Sequence, residues 1–345
     1  MRVFCVVVGV CVVSVGGCYS VDDDDDDDGV GEGEGEDGAE GEGDSGFVGD
    51  CPDVGAGLTL EETAAFSPDE AGDGVVVVMG GGVEVDRAAV RFVEGARGGD
   101  VLVLRATGST SSYTAYFDGS SGELPAFSVP PRAVATVRVD DAAAGDDPGL
   151  LCRVAYADAV WLAGGDQSDY LVAWPAALHA ALRAAVARGV AVGGTSAGAM
   201  ALSEFSYDAR DGGVSSDEAV AAPAATSVSA SPFFAPALSG RLVDTHFRAR
   251  DRERRLLAFV AHAQDEFDVL VRGLGIDEEA AVVFDDDGAR VLADGDGGVF
   301  TYAIAGSNVD GALDIDVVSR AGFFDGDVID DGVDDEFAVV DGVLQ

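Results

Sequence analysis

The stretch from residue 190 to residue 205 reads VAVGGTSAGAMALSEF. Its first four residues are apolar or small and are typical of a buried strand, and its last seven have the composition of a helix. Between them, Gly194–Gly198 (GTSAG) fits the pattern G-x-S-x-G, in which a serine stands on a sharp turn from a strand into a helix. The stretch therefore predicts an α/β fold with Ser196 as a nucleophile at the end of a strand.

Short apolar runs rich in β-branched residues recur before this stretch. They are Val75–Met79, Val101–Arg105, Val134–Val139 and Ala159–Ala163. Because the runs are mostly continuous rather than alternating, they indicate strands covered on both faces, as in a parallel sheet. Residues Trp174–Arg188 predict a helix between two strands, since Pro175 stands near the start and Gly189 just after the end. Glycine turns follow several strands, and in parallel sheets such turns converge on one crevice.

The last part of the chain has a different pattern. From about Gly273 onward, short strand-like pieces are separated by clusters of Asp and Gly. We expect these pieces to extend the same domain, residues 51–345, as antiparallel strands, with the part beyond about residue 290 forming a β extension.

The first 50 residues predict an export signal followed by a flexible tether. Residues 1–17 have one early Arg and an apolar stretch too short to cross a bilayer comfortably, as in a secretory signal peptide. The run VGGC ending at Cys18 resembles a bacterial lipoprotein processing box, in which Cys18 is lipidated; an ordinary cleaved signal peptide is the alternative. Residues 18–50 hold 15 acidic side chains, no basic one and many Gly, which predicts a disordered linker. We therefore expect an exported protein of the cell envelope, attached to the membrane only through a lipid, or secreted.

The charge of the chain excludes one class of partner. Among 345 residues there are 64 acidic and 20 basic side chains, a net charge of −44, and every basic residue is Arg. Nucleic acid binding requires a basic stripe, which this sequence lacks.

Two cysteines remain once the N-terminal segments are set aside. Cys51 and Cys152 form a disulfide in an exported protein or stay buried as free thiols, and the sequence leaves both alternatives open. No residues have the spacing of zinc ligands, and we expect neither a metal nor a cofactor.

A nucleophilic serine needs a base, and the sequence offers three histidines. His179 and His262 lie inside helix-like runs. His246 follows a short predicted strand, Arg241–Asp244, at the kind of position where active-site groups gather. We therefore expect His246 to be the base.

Five of the 20 arginines fall in the eight residues that follow His246 and Phe247. They are Arg248, Arg250, Arg252, Arg254 and Arg255. One interpretation is a solvated helix face paired with local acids such as Asp251 and Glu253. The other is a clamp for substrate carboxylates, because planar guanidinium groups bind carboxylates through two hydrogen bonds.

Four motifs, in order, resemble those of cyanophycinase, an exopeptidase related to aspartyl dipeptidase (peptidase E). They are Gly164–Gln167 (GGDQ), Gly194–Ala199 (GTSAGA), Asp244–Phe247 (DTHF) with the arginines after it, and Gly275–Glu278 (GIDE). The likeness spans about residues 75–285. It implies a flavodoxin-like, mostly parallel sheet with helices on both faces, as in class I glutamine amidotransferases. It also implies hydrolysis of β-aspartyl bonds without a cofactor, and a homodimer.

The resemblance assigns roles to individual residues. Ser196 is the nucleophile and His246 the base of a Ser-His-acid triad. For the acid, the run Gly212–Glu218 resembles the family's Gly-Gly-Ser-Ser-x-Glu with one inserted residue and favours Glu218, whereas an ungapped comparison with the dipeptidase branch favours Asp211. The backbone N–H groups of Ala197 and Gly165 would form the oxyanion hole. The substrate pocket would be lined by Gln167, Asp244, Arg250, Arg252, Arg255 and Glu278.

Two functions of different classes follow. The first is a surface-tethered serine exopeptidase acting on a β-aspartyl-arginine polymer or dipeptide, with an aspartyl dipeptidase for another acidic substrate as its nearest variant. The second is a catalytically silent envelope binding lipoprotein of the same fold.

Overall fold

The computed structural model describes residues 49–68, 72–330 and 332–345. The expected signal peptide, the lipidation site Cys18 and all but the last two residues of the expected tether lie outside this range. In the described residues, no helix has both the length and the apolar character needed to cross a bilayer.

Strands and helices alternate through the first two thirds of the described chain, and strands dominate the last third. The strands are β1 (Leu58–Glu62), β2 (Val76–Met79), β3 (Asp100–Arg105), β4 (Ala133–Val139), β5 (Ala159–Leu162), β6 (Ala191–Thr195), β7 (Phe205–Tyr207), β8 (Val228–Ala230), β9 (Arg241–Asp244), β10 (Arg272–Ile276), β11 (Ala280–Asp285), β12 (Gly288–Ala293), β13 (Val299–Asn308), β14 (Asp314–Phe323), β15 (Asp335–Val340) and β16 (Val343–Leu344). The helices are α1 (Asp86–Gly95), α2 (Thr110–Phe117), α3 (Pro148–Tyr156), α4 (Ala176–Ala187), α5 (Ala197–Ala201), α6 (Ser216–Ala221) and α7 (Glu253–Phe267).

The first sheet has the strand order β1-β4-β3-β5-β6-β2-β11-β12. Its five central strands, from β4 to β2, are parallel, and β1 and β11 join its two sides antiparallel. Each of the five apolar runs predicted as strands coincides with one of these central strands to within one or two residues. The predicted α/β fold class is confirmed.

Alternate residues of the central strands pack against opposite layers of helices. Val76 and Val78 belong to the core that contains α3 and α4, whereas Val75 and Val77 belong to the core that contains α1. Both faces are therefore covered, which explains why these strands are apolar at most positions rather than at alternate ones. Helix α4 is the helix expected at 174–188, and Gly189 follows it with the left-handed φ of 79° that a helix end favours.

The second sheet has the strand order β16-β15-β14-β13-β10-β9-β7-β8, and α7 packs against it. The strands that follow β10 pair antiparallel with their neighbours, as expected, and of these β11 and β12 extend the first sheet. Strands β13 to β16 extend the second sheet instead, because β10 pairs in parallel with β9 and β13 then adds to β10. The chain crosses from the second sheet to the first between β10 and β11, at Asp277–Glu279.

A disulfide joins Cys51 to Cys152, so the first of the two alternatives holds. The bond ties the segment before β1 to α3. Beside it, the buried Arg153 guanidinium donates to both carboxylate oxygens of Glu62 and to the carbonyl oxygen of Pro52. The start of the described chain is therefore fixed to the first sheet by both covalent and ionic contacts.

Candidate active site

Ser196 stands on the sharp turn between β6 and α5. Its backbone has φ 52° and ψ −121°, a strained conformation for a residue with a side chain. The neighbouring glycines make room for the turn: a Cβ on Gly198 would lie 2.1 Å from the carbonyl oxygen of Leu162, and one on Gly194 would lie 2.7 Å from the carbonyl carbon of Gly198. The small residues of the motif are thus required by close backbone contacts.

His246 lies two residues beyond β9 and faces Ser196. The distance from His246 Nε2 to Ser196 Oγ is 2.7 Å. His246 has a φ of 49° and its backbone N–H donates to the carbonyl oxygen of Gly80 at 2.8 Å. Glycine is needed at position 81, because a Cβ there would lie 2.6 Å from His246 Nε2.

The carboxylate on the other side of the imidazole belongs to Glu278. His246 Nδ1 is 2.6 Å from Glu278 Oε1, and Glu278 lies in the segment that links β10 to β11. The side chain is 39% exposed, while that of His246 is 10% exposed. The resemblance assigns Glu278 to the substrate pocket and does not predict this contact with the imidazole.

Neither of the two acids expected from the sequence contacts His246. Glu218 instead completes a capping box at the start of α6, where Ser215 Oγ accepts from the Glu218 N–H and the Glu218 carboxylate accepts from the Ser215 N–H. Asp211 is exposed in the preceding turn. The carboxylate that contacts the imidazole is therefore that of Glu278 and not that of Glu218 or Asp211. The pattern Ser-x-x-Glu at 215–218 is typical of a capping box, and this signal in the sequence favours a structural role for Glu218.

The surroundings of His246 favour its neutral form. Burial lowers the pKa of His246, the Glu278 carboxylate opposes this effect, and the positive charges of Arg250 and Arg252 lower the pKa further. A neutral imidazole with its Nδ1–H held by a carboxylate presents Nε2 as a proton acceptor. The other two histidines are bonded elsewhere, His179 to the carbonyl oxygen of Tyr170 and His262 to Thr226 Oγ1.

The resemblance assigns Asp244 and Arg255 to the substrate pocket, but in the structure neither side chain faces open space. Asp244 is fully buried, and its two carboxylate oxygens accept from Arg255 Nε at 2.7 Å and Nη2 at 2.6 Å. Arg252 donates to the carbonyl oxygen of Thr245 and to Asp244, and burial lowers the pKa of Arg252 to about 10. This buried ion-pair network fixes the backbone that leads from β9 into His246.

Of the other three arginines in the cluster, two form ion pairs with acids and one is exposed to solvent. Arg248 pairs with Asp277, and Arg254 pairs with Asp217. Arg250 is exposed, and within residues 49–68, 72–330 and 332–345 its guanidinium has no ion-pair or hydrogen-bond partner. Four of the five arginines thus pair with acids, as the first interpretation predicts, although not with Asp251 or Glu253. The second interpretation, a clamp for substrate carboxylates, stays a prediction, for which Arg250 is the available group.

Backbone donors lie near the nucleophile. Ala197 begins α5 directly after Ser196, and a Cβ placed on Gly164 would be 3.5 Å from Ser196 Cβ. Among the described residues, neither the Ala197 N–H nor the Gly165 N–H donates to another protein group. Gln167 donates from Nε2 to the carbonyl oxygen of Tyr207 at 2.9 Å, which fixes its side chain across the loop.

A cavity of about 440 Å³ opens next to the site, between the loop after β2 and helix α2. Gly82, in its wall, packs against the Glu278 side chain. Glu84, Arg105, Tyr113 and Glu123 line the rest together with their neighbours. The cavity is large enough for a side chain of a bound peptide.

Comparison with known proteins gives two findings. The model described as peptidase family S51 matches residues 140–292, a range that contains Ser196, His246 and Glu278. A solved structure described as "Crystal structure of a peptidase from an acI-B1 Actinobacterium" is similar with a TM-score of 0.51 and 16% sequence identity, over 75% of this chain and 98% of that chain. At this identity the likeness shows the fold alone. No curated protein sequence matches the chain.

Proposed function

We propose that the chain is a serine peptidase of family S51, of the cyanophycinase and peptidase E type, because the model of that family matches residues 140–292. We further propose that Ser196, His246 and Glu278 form its catalytic triad. The observation that carries the proposal is the continuous chain of two hydrogen bonds, 2.7 Å from serine to imidazole and 2.6 Å from imidazole to carboxylate. This is the arrangement that activates a serine hydroxyl.

The reaction proceeds through an acyl-enzyme. His246 Nε2 takes the proton of the serine hydroxyl while Ser196 Oγ attacks the carbonyl carbon of the scissile bond. The negative charge that develops on the carbonyl oxygen is stabilised by the free N–H groups of Ala197 and Gly165. The imidazolium then returns the proton to the leaving amine, the C–N bond breaks, and water activated by His246 hydrolyses the ester.

For the substrate we propose peptides with a β-aspartyl linkage, such as a β-aspartyl-arginine polymer or dipeptide. The support is the unpaired Arg250 guanidinium beside the imidazole, which is suited to the free carboxylate that such a linkage leaves on the aspartyl residue. The adjoining cavity is large enough for the attached side chain, and its lining includes Asp86 and Glu123 beside one basic residue, Arg105, which is compatible with a cation.

The test is dipeptide release from a multi-β-aspartyl-arginine polymer and from a panel of β-aspartyl dipeptides. We expect release by the purified protein and none by Ser196→Ala. Equal inertness of the two proteins on every substrate would contradict the peptidase proposal and leave the silent binding protein as the better hypothesis. Activity on the dipeptides alone would favour the dipeptidase variant.

We also propose that the chain is exported and carries its lipid on Cys18, on the basis of the N-terminal sequence alone. Expression of the full chain in a bacterial host with radiolabelled palmitate tests this. Label on the wild type and none on Cys18→Ser is the expected result, and an unlabelled wild type released into the medium indicates ordinary secretion.

A further inference from the structure

Glu84 carries a partly buried carboxyl group that contacts the residue directly before the nucleophile, and the catalytic steps proposed above give it no role. It lies in the loop between β2 and α1. Thr195 Oγ1 donates to Glu84 Oε2 at 3.1 Å, and the Tyr113 hydroxyl donates to Glu84 Oε1. Thr195 is the residue directly before Ser196. We propose that Glu84 is a positioning residue for Ser196, acting through Thr195; this inference rests on the proposed role of Ser196.

The first argument is the strain of the nucleophile's backbone. A side-chain-bearing residue at φ 52° and ψ −121° persists only when its surroundings over-determine that conformation. On one side of Ser196, helix α5 supplies the constraint. On the other side, the Ser196 N–H donates to the carbonyl oxygen of Met79, and the Thr195 side chain is held by Glu84.

The second argument is that the loop carrying Glu84 contacts every member of the triad. The carbonyl oxygen of Gly80 accepts from the His246 N–H, and that of Gly81 accepts from the Glu279 N–H next to Glu278. The loop packs closely enough on the imidazole that only glycine fits at position 81. Glu84 is the point at which this loop is fastened by a side chain to β6, the strand that carries Ser196.

The third argument is the cost of keeping a carboxyl group in this place. Burial raises the pKa of Glu84, and the nearby Asp86 carboxylate acts in the same direction, while the hydrogen bonds from Tyr113 and Thr195 oppose both. A chain that needed only to fill this space would do so more favourably with an apolar side chain. The two hydroxyl groups that donate to it lie on β6 (Thr195) and on α2 (Tyr113), so the carboxyl group links these two elements.

The experiment measures how fast a fluorophosphonate probe modifies Ser196 in the full chain, because this reaction needs a competent nucleophile but no peptide recognition. We expect Glu84→Ala to lower the maximal rate of modification about 10- to 100-fold, the effect of a small displacement of a reacting group. The concentration that gives half of that rate should stay within about twofold, because binding is not affected. Glu84→Gln, which can still bond both hydroxyl groups, should recover most of the rate. Glu94→Gln, on α1 and bonded to Ser128, is the matched control and should react like the wild type.

Thr195 provides an independent pair of variants in case Glu84→Ala does not fold. Thr195→Val removes the hydroxyl at constant shape and should slow the modification, whereas Thr195→Ser keeps the hydroxyl and should restore it. The double variant Glu84→Ala/Thr195→Val should be no slower than the slower single variant, because both changes break the same hydrogen bond.

The outcomes separate the two proposals. If the wild type is modified at Ser196 and both Glu84→Ala and Thr195→Val are modified equally fast, the positioning role is wrong and the triad stands. If the losses of the single variants add in the double variant, Glu84 does not act through Thr195, and the inference is wrong. If the probe fails to modify the wild type, or modifies Ser196→Ala at the same rate, the proposed triad fails and the inference falls with it.

Discussion

His246 receives opposing influences from the two sides of its ring. Burial and two arginines disfavour its charged form, while the Glu278 carboxylate favours it. The balance suits a group that must accept a proton from Ser196 and give it up again within one cycle. In the proposed triad Glu278 supplies this stabilising charge, so its loss should slow the reaction although its carboxylate does not touch the reacting carbon of the substrate.

Replacing Glu278 by Gln should lower kcat about 10²- to 10⁴-fold, because the imidazolium loses its counter-charge and the tautomer is no longer fixed. Glu218→Gln, a matched change at the other candidate acid, should leave kcat unchanged, since that side chain only caps α6. Steady-state kinetics of the two purified variants decide the matter. A large loss in Glu218→Gln together with full activity in Glu278→Gln would reverse the assignment.

The pH dependence of Ser196 modification should reflect the low pKa of His246. Because His246 must be neutral to act as a base, and its pKa lies below the ordinary value of about 6.5, the rate should persist into mildly acidic solution. Arg250→Met removes a positive charge that lowers this pKa, so the acidic limb should move to higher pH. Arg250→Lys keeps the charge and should leave the limb in place. A shift of the Arg250→Met profile to lower pH is the contrary result.

The contact between Ser196 and His246 could be predicted from single residues, but the contact between His246 and Glu278 could not. Ser196 and His246 carry local signals: a glycine-rich turn between strand and helix, and a histidine just after a strand. Glu278 reaches the imidazole only because β10 and β9 are parallel neighbours, a pairing between distant segments. Glu218 is nearer in sequence to the sharp turn that carries Ser196, but its carboxylate caps α6 instead of contacting His246.

At the scale of elements, the loop after β2 and the turn after β6 form one unit. Some of their glycines are required because a Cβ would clash with a neighbouring group, and others because the backbone has a positive φ. A Cβ on Gly80 would lie 1.8 Å from the carbonyl oxygen of Asp277, so the loop is pressed directly against the segment that carries Glu278. Small residues are therefore expected wherever these two segments meet.

Gly81→Ala should lower kcat strongly, because its Cβ would displace the His246 ring and its φ is 90°. Gly189→Ala is the matched control, since Gly189 also has a left-handed φ, 79°, but no atom lies within 4 Å of the added carbon. Both variants should lose about 1–2 kcal/mol of stability from the backbone conformation. Only Gly81→Ala should also lose turnover, which kinetics and thermal unfolding measured side by side will separate. Equal turnover in the two variants would show that the loop tolerates a side chain.

The strands of the first sheet were predictable because burial on both faces makes each of them a continuous apolar run. The second sheet was not, for a physical reason. Strand β13 has one partly exposed face, with alternating burial, and β7 and β8 have three residues each, so their sequences carry weak signals. Which sheet a C-terminal strand joins is decided by the crossing at Asp277–Glu279, and no composition rule predicts such a crossing.

At the scale of the whole molecule, the Cys51–Cys152 disulfide closes a loop with a sequence separation of 101. In the chain-entropy description, a loop of this length stabilises the folded state by about 4.7 kcal/mol. The double variant Cys51→Ser/Cys152→Ser should therefore have a clearly lower Tm while keeping kcat, because the bond is remote from Ser196. A reducing agent should lower the Tm of the wild type but not that of the double variant. Unchanged Tm values in both tests would mean that the bond adds nothing to stability.

The net charge of −44 should make stability depend on salt. Repulsion among the acids destabilises the compact state, and dissolved ions screen that repulsion. We expect the Tm to rise from low to physiological ionic strength, as measured by thermal unfolding in increasing sodium chloride. A Tm that does not change with salt would show that local ion pairs already neutralise the repulsion.

The proposed triad is divided between the two sheets. Ser196 directly follows β6 of the first sheet, His246 follows β9 of the second, and Glu278 lies in the segment that passes from one sheet to the other. Turnover consequently depends on how the two sheets are packed against each other. A small separation of the sheets would abolish activity while every strand stayed folded. In a denaturant series, activity should accordingly disappear before the circular dichroism of the backbone does.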